Sequence, residues 1–170
     1  ASNGCIYVGT SAGFCCYNPE KNNFTRIGSF SSKVSAIIED YFGRIWIGTG
    51  ISGLYSYNVR TKKISSYQRS DNSNSLTKNV ITTLAIDSKK RLWIGTYGQG
   101  LCRYNDETDD FTRYDHLKLP NKIITSIIPK GDLLWISTNK GLAVYNPDTE
   151  YLKTYSKSNG LYNEQFTPRS

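Results

Sequence analysis

Hydrophobic and polar positions alternate with a period of two along most of the chain, in short runs broken by Gly, Asn, Asp and Lys. Val34–Glu39 is a β-branched run, and the Asp-Tyr-Phe-Gly that follows at 40–43 reads as a turn. Arg44–Thr49 (RIWIGT) is a second run, and 50–53 is a turn with two glycines. Leu54–Asn58 (LYSYN) is a third run, 59–62 a polar turn, and 63–68 (KISSYQ) a fourth run. The same order returns at 81–86, 91–96, 101–105 and 110–114, and again at 123–128, 133–138, 142–146 and 151–155. Each run predicts a short strand, and no segment carries the 3.6-residue period of a helix.

The runs belong to a repeat. Tyr-Asn stands at 17–18, 57–58, 104–105 and 145–146, at separations of 40, 47 and 41 residues. Ahead of each lies Gly9-Thr10, Gly48-Thr49, Gly95-Thr96 or Ser137-Thr138, preceded two residues earlier by Tyr7, Trp46, Trp93 or Trp135. Between these marks sits Gly-Phe or Gly-Leu, at 13–14, 53–54, 100–101 and 141–142. Four antiparallel strands every 40–47 residues describe a β-propeller blade. A blade is covered on both faces by its neighbours, so its middle strands should be apolar on both sides, with the tryptophans as wedges opposite Ile45, Ile47, Ile94 and Ile136. Asn58, Asn105 and Asn146 are expected to cap the third strand through Asx turns.

The predicted fold is therefore all-β, with about four four-stranded antiparallel blades in a partial or oligomer-completed propeller. Residues 1–32 form a first blade lacking its first strand, 33–78 the second blade, 79–121 the third and 122–162 the fourth. Residues 163–170 are expected as the orphan first strand of a next blade. Four blades lie at the lower limit for closed propellers, and an open arc exposes two apolar faces. The remaining blades of a parent chain, or a second copy, are the expected partners.

Composition narrows the picture only slightly. At 170 residues and 19.2 kDa, with 13% aromatic residues, the chain is neither disordered nor a disulfide miniprotein. No apolar run reaches the ~18 residues of a membrane span, so no membrane contact is expected of this segment. The absence of Met, with Ala1 in first place, reads as a piece cut from something longer. The net charge of +7 is dispersed along the sequence; it fits no nucleic-acid module and supports at most a mild attraction for anionic partners such as acidic or sulfated glycans. Cys5, Cys15, Cys16 and Cys102 lack metal-ligand spacing, and no cofactor or metal is expected. If Thr10 opposes Gly13, Cys5 faces Asn18 and no cysteine pair has disulfide geometry, so four free, mostly buried thiols follow.

Turns from second to third strand share one face of a blade with the connectors between blades. Tyr97, Gln99, Asn139 and Lys140 thus lie beside the connectors 70–78 and 116–121, with Asp71, Asn72, Asn74, His116, Lys118 and Asn121. Amides, cations and one stacking ring suit a sugar, and Tyr97, Gln99, His116, Asn139 and Lys140 are the candidate ligand residues. Catalysis is not expected. The single His116 has no motif beside it, no paired carboxylates recur at glycosidase spacing, and 39–46 resembles the Asp-box hairpin of sialidases without its Ser and Thr. The alternative is a piece of a propeller enzyme, a polysaccharide lyase or a sialidase-like hydrolase.

The string 34–49 followed by 53–58 resembles the regulator-propeller repeat of hybrid two-component sensor kinases from gut-dwelling anaerobic bacteria. Residues 92–96 and 100–105 carry the resemblance into the third copy, and 159–166 resembles an inter-blade linker of those sensors. Ser137 in place of Gly and 129–131 in place of the acidic turn depart from it. The resemblance implies a periplasmic sensor region of two seven-bladed propellers and an immunoglobulin-like domain, joined through a membrane helix to a histidine kinase. It further implies an oligosaccharide signal and transcription of glycan-utilisation genes as output. This chain is then about four blades without catalytic activity of its own, from a parent anchored in the inner membrane.

Overall fold

The computed structural model describes residues 1–28, 30 and 32–167. Strands β1 (Ile6–Thr10), β2 (Gly13–Asn18) and β3 (Asn23–Ile27) make a three-stranded antiparallel sheet, blade 1. Blade 2 is β4 (Val34–Glu39), β5 (Arg44–Thr49), β6 (Leu54–Asn58) and β7 (Ile64–Tyr67), paired in sequence order. Blade 3 is β8 (Ile81–Ile86), β9 (Leu92–Thr96), β10 (Leu101–Asn105) and β11 (Asp110–Arg113). Blade 4 is β12 (Ile124–Lys130), β13 (Leu133–Thr138), β14 (Gly141–Asn146) and β15 (Tyr151–Tyr155), followed by a single 3-10 turn, Lys157–Asn159. The inner strands β4, β8 and β12 pack side by side, and the blades fan out from them as an open arc. The chain is thus a partial propeller.

The repeated marks turn out to be contacts between blades. A Cβ built on Gly48 meets Ile81 Cγ2 at 2.6 Å, and one on Gly95 meets Ile124 Cγ2 at 2.7 Å. Gly9 stands in the same relation to Val34, at 2.4 Å. Each glycine therefore lies under the first residue of the next blade's inner strand, where no side chain fits. Those inner strands begin with a register shift between Val34 and Ala36, Ile81 and Thr83, and Ile124 and Ser126. The extra residue of such a bulge re-aims the flanking side chains.

The threonine after each glycine fastens the next turn. Thr49, Thr96 and Thr138 are fully buried and donate through Oγ1 to the carbonyls of Gly53, Gly100 and Gly141 at 2.7–2.8 Å. Thr10 does the same to Gly13 at 3.0 Å. Asn58 and Asn146 accept two backbone N–H groups each, the expected Asx turns. Asn105 differs: Arg103 donates to its Oδ1, and its amide is drawn to Asp110 and Thr112 instead.

Trp46 and Trp93 are completely buried, each at the seam between its own blade and the next. Trp46 lies 4.5 Å from the Tyr104 ring of blade 3, and Trp93 shares a core with Tyr145 of blade 4. Each indole Nε1 donates at 2.8 Å to a buried carboxylate, Asp40 or Asp87, in the turn from first to second strand. Trp135 stacks instead on the Tyr155 ring at 6.2 Å, and Pro129 and a shorter turn stand where blades 2 and 3 have the aspartate clasp.

The expectation of mostly buried thiols needs correction. Only Cys102 is buried; Cys5, Cys15 and Cys16 are partly buried. Cys5 does extend the β1–β2 register opposite Asn18, but its thiol reaches Cys16, the diagonal neighbour on the same face, and all four cysteines are free. Of the stretch 163–170, residues 163–167 carry no strand, and 168–170 lie outside the described residues.

Candidate functional site

The turns from second to third strand and the inter-blade connectors meet on one face. Gly50 N–H donates to Lys33 O and Gly53 N–H to Asn79 O, so the turn of blade 2 is held by connectors on either side. In blade 3, Tyr97 donates to Val80 O, and Gly98 and Gly100 donate to Lys122 O. Asn139 and Gly141 of blade 4 donate to Ile123 O and Glu164 O.

The longest connector, between β7 and β8, is built rather than slack. Leu76 is fully buried in the seam between blades 2 and 3. Arg113, at the end of β11, reaches across and donates through Nε to Ser75 O at 2.9 Å and through Nη2 to Asn72 O at 2.8 Å and Ser75 Oγ at 2.6 Å. Asn74 donates its amide to Asp110 Oδ2 at 3.1 Å and accepts the Phe111 N–H on its carbonyl. These bonds hold the connector against the outer strand of blade 3.

Between the connector and blade 3 lies a polar cleft of about 340 Å³, lined by Arg69, Thr77, Lys78, Gln99, Arg113 and Asp115. Thr77 forms its buried floor, with Oγ1 3.4 Å from Thr96 Oγ1 and 4.0 Å from the Cys102 thiol. Burial pushes that thiol up to about 11, so it is a neutral packing group at the base of the cleft. Three cations face a single carboxylate here, and among the described residues none of the three lies within ion-pair distance of a carboxylate. The arrangement suits a group with negative charge and several hydrogen-bond acceptors.

Of the residues singled out from the sequence, Gln99 lines this cleft. Tyr97, on the same turn, is 54% exposed. His116 follows the lining residue Asp115, with its ring 5.7 Å from Tyr114. Asn139 and Lys140 belong to the blade 4 turn and do not line the cleft. Asn72, Asn74 and Asn121 spend their side chains on local backbone or on Asp110. Sequence reasoning missed Arg69, Thr77, Lys78, Arg113 and Asp115. Two cations flanking one long connector are a visible signal, but the return of Arg113 from the far strand is not.

The opposite face carries a second recurring device. Arg44 bonds Asp40 of its own turn at 2.6 Å and also Asp106 of blade 3. Arg91 bonds Asp87 at 2.6 Å and Asp148 of blade 4 at 2.8 Å. Each arginine latches one blade to the next.

Residues 28–50 and 75–98 match the model of the two-component regulator propeller. The two stretches hold β4–β5 and β8–β9, the strands that carry the Asp–Trp clasp and the Gly-Thr pair. No curated protein matches the chain. Among solved structures, the extracellular domain of the hybrid two-component system BT3049 from B. thetaiotaomicron is 26% identical at a TM-score of 0.78, over 97% of this chain and 23% of that one. The extracellular domain of the hybrid two-component system BT4673 from the same organism is 20% identical at a TM-score of 0.51, over 91% of this chain and 28% of that one. Virginiamycin B lyase from Staphylococcus aureus is 16% identical at a TM-score of 0.70, over 92% of this chain and 53% of that one, and shares the fold. The chain thus spans about a quarter of the length of these two extracellular domains. Residues 28–50 of blade 2 and 75–98 of blade 3 carry the two-component regulator propeller pattern, within an array of four antiparallel sheets.

Proposed function

We propose that the chain is a recognition segment of an extracytoplasmic sensor of the hybrid two-component type, and that its loop face takes an oligosaccharide. Location in a periplasm and a membrane-anchored kinase downstream belong to the same reading, as does control of glycan-utilisation genes. The observation that carries it is the polar cleft on the loop face of a propeller array, with the exposed Tyr97 on the same turn as its lining residue Gln99. Likeness to the extracellular domain of BT3049 supports the sensor role. An exposed aromatic ring beside amide and cationic donors is the usual equipment for a sugar, whose face is apolar and whose edge is hydroxyl. The outer faces of blades 1 and 4 are covered, in this reading, by further blades.

A glycan array probed with the full chain tests this. Binding of a defined oligosaccharide, weakened by Tyr97→Ala and Gln99→Ala together and without any change in the glycan, is the expected result. Retention of no glycan, or depolymerisation of the glycan by the chain, overturns it.

A further inference from the structure

We propose that the cleft over blade 3 is an anion subsite, so that the oligosaccharide read by this face is acidic, bearing carboxylate or sulfate. The inference rests on the oligosaccharide reading above and commits it to one charge class.

Three observations on the cleft converge. First, its size of about 340 Å³ falls within the ~300–1,000 Å³ of small-ligand pockets, at the low end, which suits one charged sugar unit of a longer chain. Second, Arg69, Lys78 and Arg113 outnumber Asp115, and none of these cations pairs with a carboxylate among the described residues. Elsewhere the arginines that build the molecule are matched: Arg44 and Arg91 each bind two aspartates. Positive charge left without a partner on a concave surface raises the local concentration of anions.

Third, the cleft is braced. Arg113 spends Nε and Nη2 on the carbonyls of the connector, which fixes the wall carrying Thr77 and Lys78. Arg69 is tied at its backbone N–H by the Asn79 side chain, so both ends of the connector are held while the Arg69 and Lys78 side chains stay exposed. Arg113 is thus a bracing group that lends its charge, and Arg69 and Lys78 are the groups that meet the ligand. A planar guanidinium suits a carboxylate or sulfate through two parallel bonds, with Lys78 and Gln99 left for the remaining oxygens.

The test is equilibrium binding to the full chain of three tetrasaccharides: tetragalacturonate, a chondroitin sulfate tetrasaccharide and the neutral maltotetraose. The expected result is that one acidic probe binds at least tenfold tighter than maltotetraose, and that this advantage shrinks between 50 and 300 mM NaCl. Arg69→Gln with Lys78→Gln should weaken the acidic probe by about tenfold or more, as for lost charge-assisted bonds. Both side chains are exposed, and an unchanged melting temperature confirms that the double variant is folded. Arg113 is left intact because it braces the connector. The carboxylate and sulfate arms separate the two sources of charge.

Maltotetraose binding as tightly as both acidic probes, or full acidic binding by the folded double variant, overturns the anion subsite while the oligosaccharide reading stands. Binding of none of these probes, together with inorganic sulfate shielding Lys78 from acylation, overturns the proposal through its sugar component and the oligosaccharide reading with it.

Discussion

Single residues in this chain owe their identity to the polar groups they bond, most within their own blade and some in the next. Asp87 is buried and its two oxygens accept the Lys89 and Arg91 N–H groups, Arg91 Nε and Trp93 Nε1, all within 2.6–3.0 Å. Asp87→Ala strands the indole N–H and leaves the guanidinium with Asp148 as its carboxylate. Chemical denaturation should record a loss of about 3–5 kcal/mol, typical of a broken buried pair. Asp148→Ala at the outer end of the same latch should cost far less. Its exposed carboxyl is held below the usual range by Lys89 and Arg91, so whatever it contributes is present above the unfolded-state pKa and disappears in acid. Tyrosines divide in the same way. The Tyr145 hydroxyl is buried without a hydrogen-bond partner among the described residues, whereas the Tyr104 hydroxyl donates to Asp109 at 2.8 Å. Tyr145→Phe should therefore leave the melting temperature unchanged or raise it, while Tyr104→Phe should lose about 1–2 kcal/mol. Cys102 adds an alkaline limit. The unfolded thiol gives up its proton near 9, the folded one near 11, so the burial contributes stability below pH 9 that falls away as pH rises toward 11. Cys102→Ala should flatten the stability profile across that window.

At the scale of the strand and turn, the repeat was readable because its marks recur, yet their purpose was not. The period-two runs and the Gly-rich turns foretell the strands, since both follow from local backbone chemistry. Gly53 fits that local account: its φ is +83° and a Cβ would meet Tyr67 O at 2.2 Å. Gly48 and Gly95 do not. They sit inside strands without positive φ, and what excludes a side chain is the neighbouring blade, joined at Gly95 by Thr83 of the paired strand. Gly95→Ala places a Cβ 2.6 Å from Thr83 Cγ2 and 2.7 Å from Ile124 Cγ2, an overpacking that should cost about 1–3 kcal/mol. Ile124→Ala, itself destabilising, should recover part of that loss in the double variant, and a double-mutant cycle by urea titration measures the coupling. Additive losses would mean that the glycine is needed for the β9 backbone alone. The cleft was illegible for a related reason. Gln99 was visible as a turn residue, but Arg113 enters only because β11 ends beside a connector nearly forty positions earlier in the chain.

For the whole molecule, the internal seams state what an uncovered face lacks. Trp46 and Trp93 are each sealed by the next blade, and each seam has its arginine latch. On blade 4, Trp135, Leu142 and Phe166 instead line an apolar hollow of about 490 Å³, with Ile128 beside them 59% exposed. Phe166 follows Glu164 by two residues, as Ile81 follows Asn79 and Ile124 follows Lys122, so the tail already occupies the entrance of a next inner strand. What is absent is the ring that would seal Trp135, the tyrosine of a following Tyr-Asn pair. The chain alone, if monomeric in sedimentation, should therefore show one acrylamide-quenchable tryptophan and two protected ones. Trp135→Phe should remove the quenchable emission and leave the rest untouched. A chain extended by one further regulator-propeller blade should protect all three tryptophans and show a higher melting temperature, because the same apolar area then leaves water. Three protected tryptophans in a chain that sediments as a dimer would assign the covering surface to a second copy. The same protection in a compact monomer would mean that blade 4 folds back onto blade 1 without a latch, since Leu133 stands where blades 2 and 3 carry arginine.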